Sequence, residues 1–131
     1  MATILIVDDD PLMYELYELM LSQDKHTVFV ANNGEQALKL AEEKKPDLIL
    51  LDVMMPKMNG LDVLEHLKQN PETQDCLVIA FSNLVDPTVE KAALDKGAVR
   101  YAVKSQYQSK ALRHLVEEVL DTKTASRVQS E

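Results

Sequence analysis

The sequence predicts an α/β fold in which a parallel sheet is covered by helices on both faces. Two observations carry this. Short runs rich in aliphatic and β-branched residues recur at residues 3–7, 27–31, 47–51, 77–81 and 99–103. Segments with apolar residues at helical spacing follow each of them, and strict alternation of strand and helix is the pattern of βα units. Right-handed crossovers between parallel strands then fix the general shape.

Each element has its own signal. The first, third and fourth strands are almost continuously apolar, as strands buried on both faces are; the second and fifth are mixed, as suits the edges of a sheet. Asp10 and Pro11 supply an N-cap and a first helical residue, and the stripe Leu12, Met13, Leu16, Tyr17, Leu19, Met20 follows. Asn32-Asn33-Gly34 reads as a turn and cap before Ala37, Leu38 and Ala41. Lys45-Pro46 breaks that helix and opens the third strand. The turn Asn59-Gly60 introduces Leu61, Leu64 and Leu67, whose helix ends near Asn70-Pro71. Asp86-Pro87 caps a fourth helix carrying Val89, Ala92 and Ala93, and Gly97 stops it. The strongest stripe is the last, Ala111, Leu112, Leu115, Val116, Val119, Leu120. Beyond Asp121 the chain is polar and carries no apolar stripe, so residues 2–121 are expected to form the domain and 122–131 a frayed tail or the start of a linker.

Composition narrows the function. The 131 residues and 14.8 kDa suit one domain with a real core. A net charge of −8, from 22 acidic against 14 basic residues, repels phosphate backbones and anionic lipid, so neither nucleic acid nor membrane is an expected partner. The longest apolar run, residues 76–81, is far below a membrane span, and the N-terminus has no basic region, which predicts a cytoplasmic protein. A single cysteine, Cys76, excludes an internal disulfide and a Cys-based zinc site.

In open α/β sheets the chemistry lies beyond the carboxyl ends of the strands. The residues there are Asp8, Asp9 and Asp10 after the first strand, Asp52 after the third, Ser82 and Asn83 after the fourth, and Lys104 after the fifth. Clustered carboxylates repel unless a cation sits among them, and oxygen donors suit Mg2+. A carboxylate can be a nucleophile toward phosphorus. Lys104 can neutralise the phosphoryl oxygens and Ser82 can donate a hydrogen bond to them.

These residues stand in motifs: Ile6-Val7-Asp8-Asp9-Asp10-Pro11, Leu50-Leu51-Asp52-Val53-Met54-Met55-Pro56-Lys57-Met58-Asn59-Gly60, Ala80-Phe81-Ser82 and Tyr101-Ala102-Val103-Lys104. Together, and in this order, they make the chain resemble the receiver domains of two-component response regulators, including the single-domain chemotaxis type. The resemblance implies a flavodoxin-like (βα)5 sandwich with strand order 2-1-3-4-5. It implies that Asp52 is the phosphoacceptor, that Asp8, Asp9, Asp52 and the backbone carbonyl of Met54 hold Mg2+, that Ser82 and Lys104 stabilise the phosphoryl group, and that Ser82 and Tyr101 form the switch. It implies a sensor histidine kinase or phosphotransfer protein as donor, and output through the fourth helix, fifth strand and fifth helix to an effector protein or a fused output domain. The chain is then a switch rather than an enzyme proper, acting alone or as a module of a larger regulator or hybrid kinase.

Two positions depart from the family. Ser105 follows Lys104 where the family carries proline, so a trans peptide bond is expected there. Asn83 is bulkier than the family's small residue and is expected to narrow access to Asp52. Met54 and Leu84, both apolar, cannot orient a water molecule, which predicts a moderately long-lived phosphoryl state. Two other readings fare worse. An aspartyl phosphatase of the haloacid-dehalogenase type needs an acid two residues after the nucleophile, where Met54 stands. A flavodoxin needs a phosphate loop after the first strand, where three aspartates would repel the flavin phosphate. Bland roles suffice elsewhere: Asp10 as a cap, Cys76 as a small hydrophobe, and His26, His66 and His114 as solvated or packed side chains.

Overall fold

Five strands and five α-helices alternate along the chain in a computed structural model that describes residues 2–55, 59–83 and 85–129. They are β1 (Thr3–Val7), α1 (Pro11–Gln23), β2 (Thr27–Ala31), α2 (Gly34–Lys44), β3 (Leu48–Asp52), α3 (Gly60–Gln69), β4 (Leu77–Ser82), α4 (Pro87–Asp95), β5 (Arg100–Val103) and α5 (Ser109–Gln129), with a 3-10 turn at Lys104–Gln106. All strands are parallel and lie in the order β2-β1-β3-β4-β5, the flavodoxin-like topology, with the two mixed strands at the edges.

Side-chain caps start the helices where the sequence places them. Asp10 accepts from the Leu12 amide, Asn33 from Gln36, Asn59 from Leu61, and Asp86 from both Thr88 and Val89. Gln36 returns the favour by accepting from the Asn32 amide, a reciprocal arrangement close to a capping box. Lys45 closes α2 in the left-handed conformation at φ 47°.

Strand parity divides the core in two. One layer holds Leu5, Val7, Ile49, Leu51, Val78 and Ala80 against α2, α3 and α4; the other holds Ile4, Ile6, Leu48, Leu50, Ile79 and Phe81 against α1 and α5. His26 is packed rather than solvated. Its Nδ1 accepts from the Ala2 amide, which leaves Nε2 to donate to Glu117 on α5. Cys76 is buried at the head of β4, and burial pushes its thiol up, away from thiolate reactivity.

Two strand starts and three element ends differ from expectation: β3 begins at Leu48 and β5 at Arg100, each one residue late. β3 and β4 each run one residue further, so Asp52 and Ser82 are the last residues of their strands and not the first beyond them. The fifth helix does not stop near Asp121 but continues to Gln129. The polar segment has no Gly or Pro to end a helix, and Lys123 donates to Asp47 at 3.1 Å just past the expected end. Among the described residues, no helix is long and apolar enough to cross a membrane. The motif residues Pro56, Lys57 and Met58, together with Leu84, lie outside the described residues.

Gly60 is where the fold is least forgiving. A Cβ there would overlap the carbonyl oxygen of Asp52 and the Cα of Val53, so the start of α3 rests directly on the backbone at the end of β3. Gly60→Ala is expected to destabilise the protein by about 1–3 kcal/mol through overpacking. Urea denaturation checks this: the midpoint should fall at constant slope, and an unchanged midpoint would show that α3 can lift from β3 without cost.

Candidate functional site

The parity that builds the core also aims the charged residues. Ile4 and Ile6 face the α1/α5 layer, and Asp8 follows them with its amide still bonded to Ala31, one step beyond β1. Leu48 and Leu50 lead in the same way to Asp52, and Ala102 leads to Lys104. Three strand ends therefore deliver two carboxylates and an ammonium to one side of the sheet.

There they meet. Lys104 Nζ donates to Asp8 Oδ2 at 2.8 Å and to Asp52 Oδ2 at 3.2 Å. The other oxygen of each carboxylate accepts a backbone N–H, from Asp10 to Asp8 Oδ1 and from Met54 to Asp52 Oδ1, both at 2.9 Å. All three residues are buried, Asp8 to 2%, Asp52 to 5% and Lys104 to 7% residual exposure. Asp9 stays exposed, yet one oxygen from each of Asp8, Asp9 and Asp52 lies within 4.8 Å of the others.

Burial pushes the Asp8 carboxyl above its ordinary range, and the neighbouring Asp52 charge adds to this; the hydrogen bonds from Lys104 and Asp10 offset only part of it. For Lys104, burial alone would weaken the ammonium, but its two carboxylate partners outweigh burial and hold it above the usual lysine value. Both shifts have the same sense: a cluster with two buried carboxylates and one cation retains its protons. Three close, hard oxygen donors with surplus negative charge are a fitting cradle for a small divalent cation such as Mg2+.

The remaining predicted residues stand at or next to the ends of β3, β4 and β5. Ser82 is fully buried at the end of β4, directly after Phe81, the register partner of Asp52. Tyr101 is half-buried and packs against that same layer. Met54 is 49% exposed beside Asp52, and Asn83 is exposed next to Ser82. Every peptide bond among the described residues is trans, Lys104-Ser105 included. So the structure gathers Asp8, Asp9, Asp52 and Lys104 into direct proximity, with Ser82 buried at the end of the neighbouring strand and Tyr101 packed against the α2–α4 layer. Two contributors escaped the sequence reading. Gly60 reads in the sequence as a turn residue and a motif position, but its contact with Asp52 joins separate elements and shows only in the fold. Tyr17 was visible only as a member of an apolar stripe; the signal was its polar tip at a core position.

A receiver module is what this scaffold and acidic cluster define, and comparison with known proteins agrees. The family model for the response regulator receiver domain matches residues 4–117. The nitrate/nitrite response regulator protein NarL of Escherichia coli is 39% identical over 116 residues, covering 87% of this chain and 53% of NarL. The solved structure of NtrX from Brucella abortus superposes with a TM-score of 0.90 at 25% identity, over 98% of this chain and 29% of that one. The chemotaxis protein CheY4 of Vibrio cholerae shares the fold, with a TM-score of 0.85 at 24% identity over 91% and 98% of the two chains. The chain belongs to the response regulator receiver domain family of two-component signalling. It spans about half the length of NarL.

The raised Asp8 carboxyl carries a stability consequence. A carboxyl whose folded pKa lies above its unfolded value contributes stability below the unfolded pKa and loses it as pH rises through the folded one. In metal-free buffer at neutral pH the charged Asp8 is thus a burden, and Asp8→Asn is expected to stabilise the protein. The gain should shrink as pH falls and wild-type Asp8 takes up its proton. Thermal or urea unfolding across acidic to neutral pH checks both; a gain independent of pH would mean that the charge is not the cause.

Proposed function

We propose that this chain is a phosphorylation-controlled switch in which Asp52 accepts a phosphoryl group from the phosphohistidine of a sensor histidine kinase or phosphotransfer protein. The single observation behind this is the buried Asp8–Lys104–Asp52 cluster with Asp9 at its rim. In the transfer the N–P bond of the donor imidazole breaks as an Asp52 oxygen forms a new bond to phosphorus. Because this chemistry is mostly alignment and charge neutralisation, the hydrogen bonds on Asp52 matter. The Met54 amide fixes Oδ1, and Lys104 orients Oδ2 and can follow the charge onto a phosphoryl oxygen.

Asp8, Asp9, Asp52 and the carbonyl of Met54 would hold Mg2+, which when bound supplies charge neutralisation for the phosphoryl oxygens. Ser82 would donate its hydroxyl proton to the modified Asp52, and Tyr101 would turn inward as Ser82 moves. The readout face would be α4, β5 and α5, since β5 carries Tyr101 on one side and leads to Lys104 on the other. The partner on that face is an effector protein or a fused output domain, and the setting is cytoplasmic. Asn83, exposed at the mouth, would limit access of small donors.

Mass spectrometry after incubation with acetyl phosphate and Mg2+ tests the assignment. The wild type should gain one phosphoryl group; Asp52→Asn, or chelation with EDTA, should abolish the gain. An adduct that persists in Asp52→Asn would overturn the role of Asp52. The same assay followed over time should show faster uptake in Asn83→Ala, and equal rates in the two proteins would remove Asn83 as a gate.

A further inference from the structure

Among the described residues, the Tyr17 hydroxyl is the buried side-chain polar atom without a hydrogen-bond partner. Tyr17 is 3% exposed and projects from α1 into the α1/α5 layer. Its ring lies against Phe81, with centroids 6.0 Å apart and planes tilted by 34°. Phe81 is the register partner of Asp52 across β3 and β4. Tyr17 is therefore packed on the face to which parity sends Asp8, Asp52 and Lys104. The charges of all three reach its phenol, whose ionisation is pushed up chiefly by burial.

An unpartnered buried hydroxyl costs about 1–3 kcal/mol, and phenylalanine would fill the same space without that cost. The oxygen is useful only in a state of the site that offers it a partner. Such a state follows from the geometry. Two of the three ammonium protons of Lys104 point to Asp8 and Asp52, the same carboxylates that are close enough to share a divalent cation. When Asp8 turns to a cation, Lys104 loses an acceptor at a position that is 7% exposed, where water cannot freely replace it.

We propose that Tyr17 is a positioning residue for Lys104: its hydroxyl oxygen accepts the ammonium proton that Asp8 releases when the carboxylate turns to a divalent cation. A neutral acceptor suits this task. It holds the ammonium near Asp52 without competing, as a carboxylate would, with an incoming phosphoryl group. The hydroxyl is then idle in the metal-free protein and engaged in the loaded one. This inference rests on the switch reading of the site.

Tyr17→Phe removes the oxygen and keeps the ring on Phe81. In metal-free buffer the variant should unfold at the same denaturant concentration as the wild type, or higher. On titration with Mg2+, the near-ultraviolet tyrosine absorption of the wild type should shift as the phenol gains its partner, and the variant should lack that shift. Uptake of a phosphoryl group from acetyl phosphate should be about three- to tenfold slower in the variant, the worth of one hydrogen bond. An identical difference spectrum in both proteins overturns the proposal, as does a loss of stability in the variant that is the same with and without Mg2+. A wild type that takes up no phosphoryl group would overturn the switch reading instead, and the Mg2+ difference spectrum would still decide for or against Tyr17.

Discussion

Two buried carboxylates held by one buried ammonium set the terms for the whole carboxyl edge of the sheet. The Lys104–Asp8 contact joins residues 96 positions apart and the Lys104–Asp52 contact joins residues 52 apart. Neither can form unless β1, β3 and β5 lie in one sheet with aligned ends and matching parity. Buried ion pairs are seldom a source of net stability, because removing charges from water costs as much as their attraction returns. Here the account is less favourable still, since the second carboxylate adds repulsion to the first. The apolar layers on both sides of the sheet carry the folding energy, and the cluster is tolerated because they do.

That imbalance suits the responsive role proposed for the site. A cluster short of positive charge has much to gain from any added cation and from any rearrangement that spreads its negative charge. The backbone amides of Asp10 and Met54 keep both carboxylates oriented meanwhile. Gly60 adds a mechanical constraint, with the start of α3 resting on the carbonyl of Asp52. The residue proposed to change its chemistry is thus gripped through its side chain by Lys104, just past β5, and along its backbone by α3.

Much of this was legible in the sequence because it is local. Caps at Asp10, Asn33, Asn59 and Asp86 announce their helices through side chains that bond two or three residues ahead, and aliphatic runs announce strands. Asp8, Asp52, Ser82 and Lys104 could be located because the end of a parallel strand is a marked place. What was not legible depends on tertiary contact. The last residues of β3 and β4 belong to the sheet because neighbouring strands pair with them, Asp52 with Phe81 and Ser82 with Val103. The continuation of α5 past Asp121 reflects an absence of breakers that a polar composition concealed, aided by Lys123 on α5 donating to Asp47, the residue before β3. The close approach at Gly60 and the orphaned phenol of Tyr17 exist only once separate elements are packed.

Strand β5 is where the two faces of the sheet come into register with each other. Tyr101 packs against the α2–α4 layer, and Ala102 belongs to the α1/α5 layer that leads on to Lys104. This strand has four residues, lies at the edge and is paired with β4 alone, so it is the element of the sheet held by fewest backbone bonds. A displacement of Lys104, the first residue of the 3-10 turn after β5, is therefore passed most readily to that strand, and along it to Tyr101 three residues away. The stiff interior strands β1 and β3 serve as the fixed frame, and β5 is the part that can yield. On this physical ground, the proposed phosphorylation of Asp52 would reach the surface beside α4 through β5 rather than through a rearrangement of the interior strands.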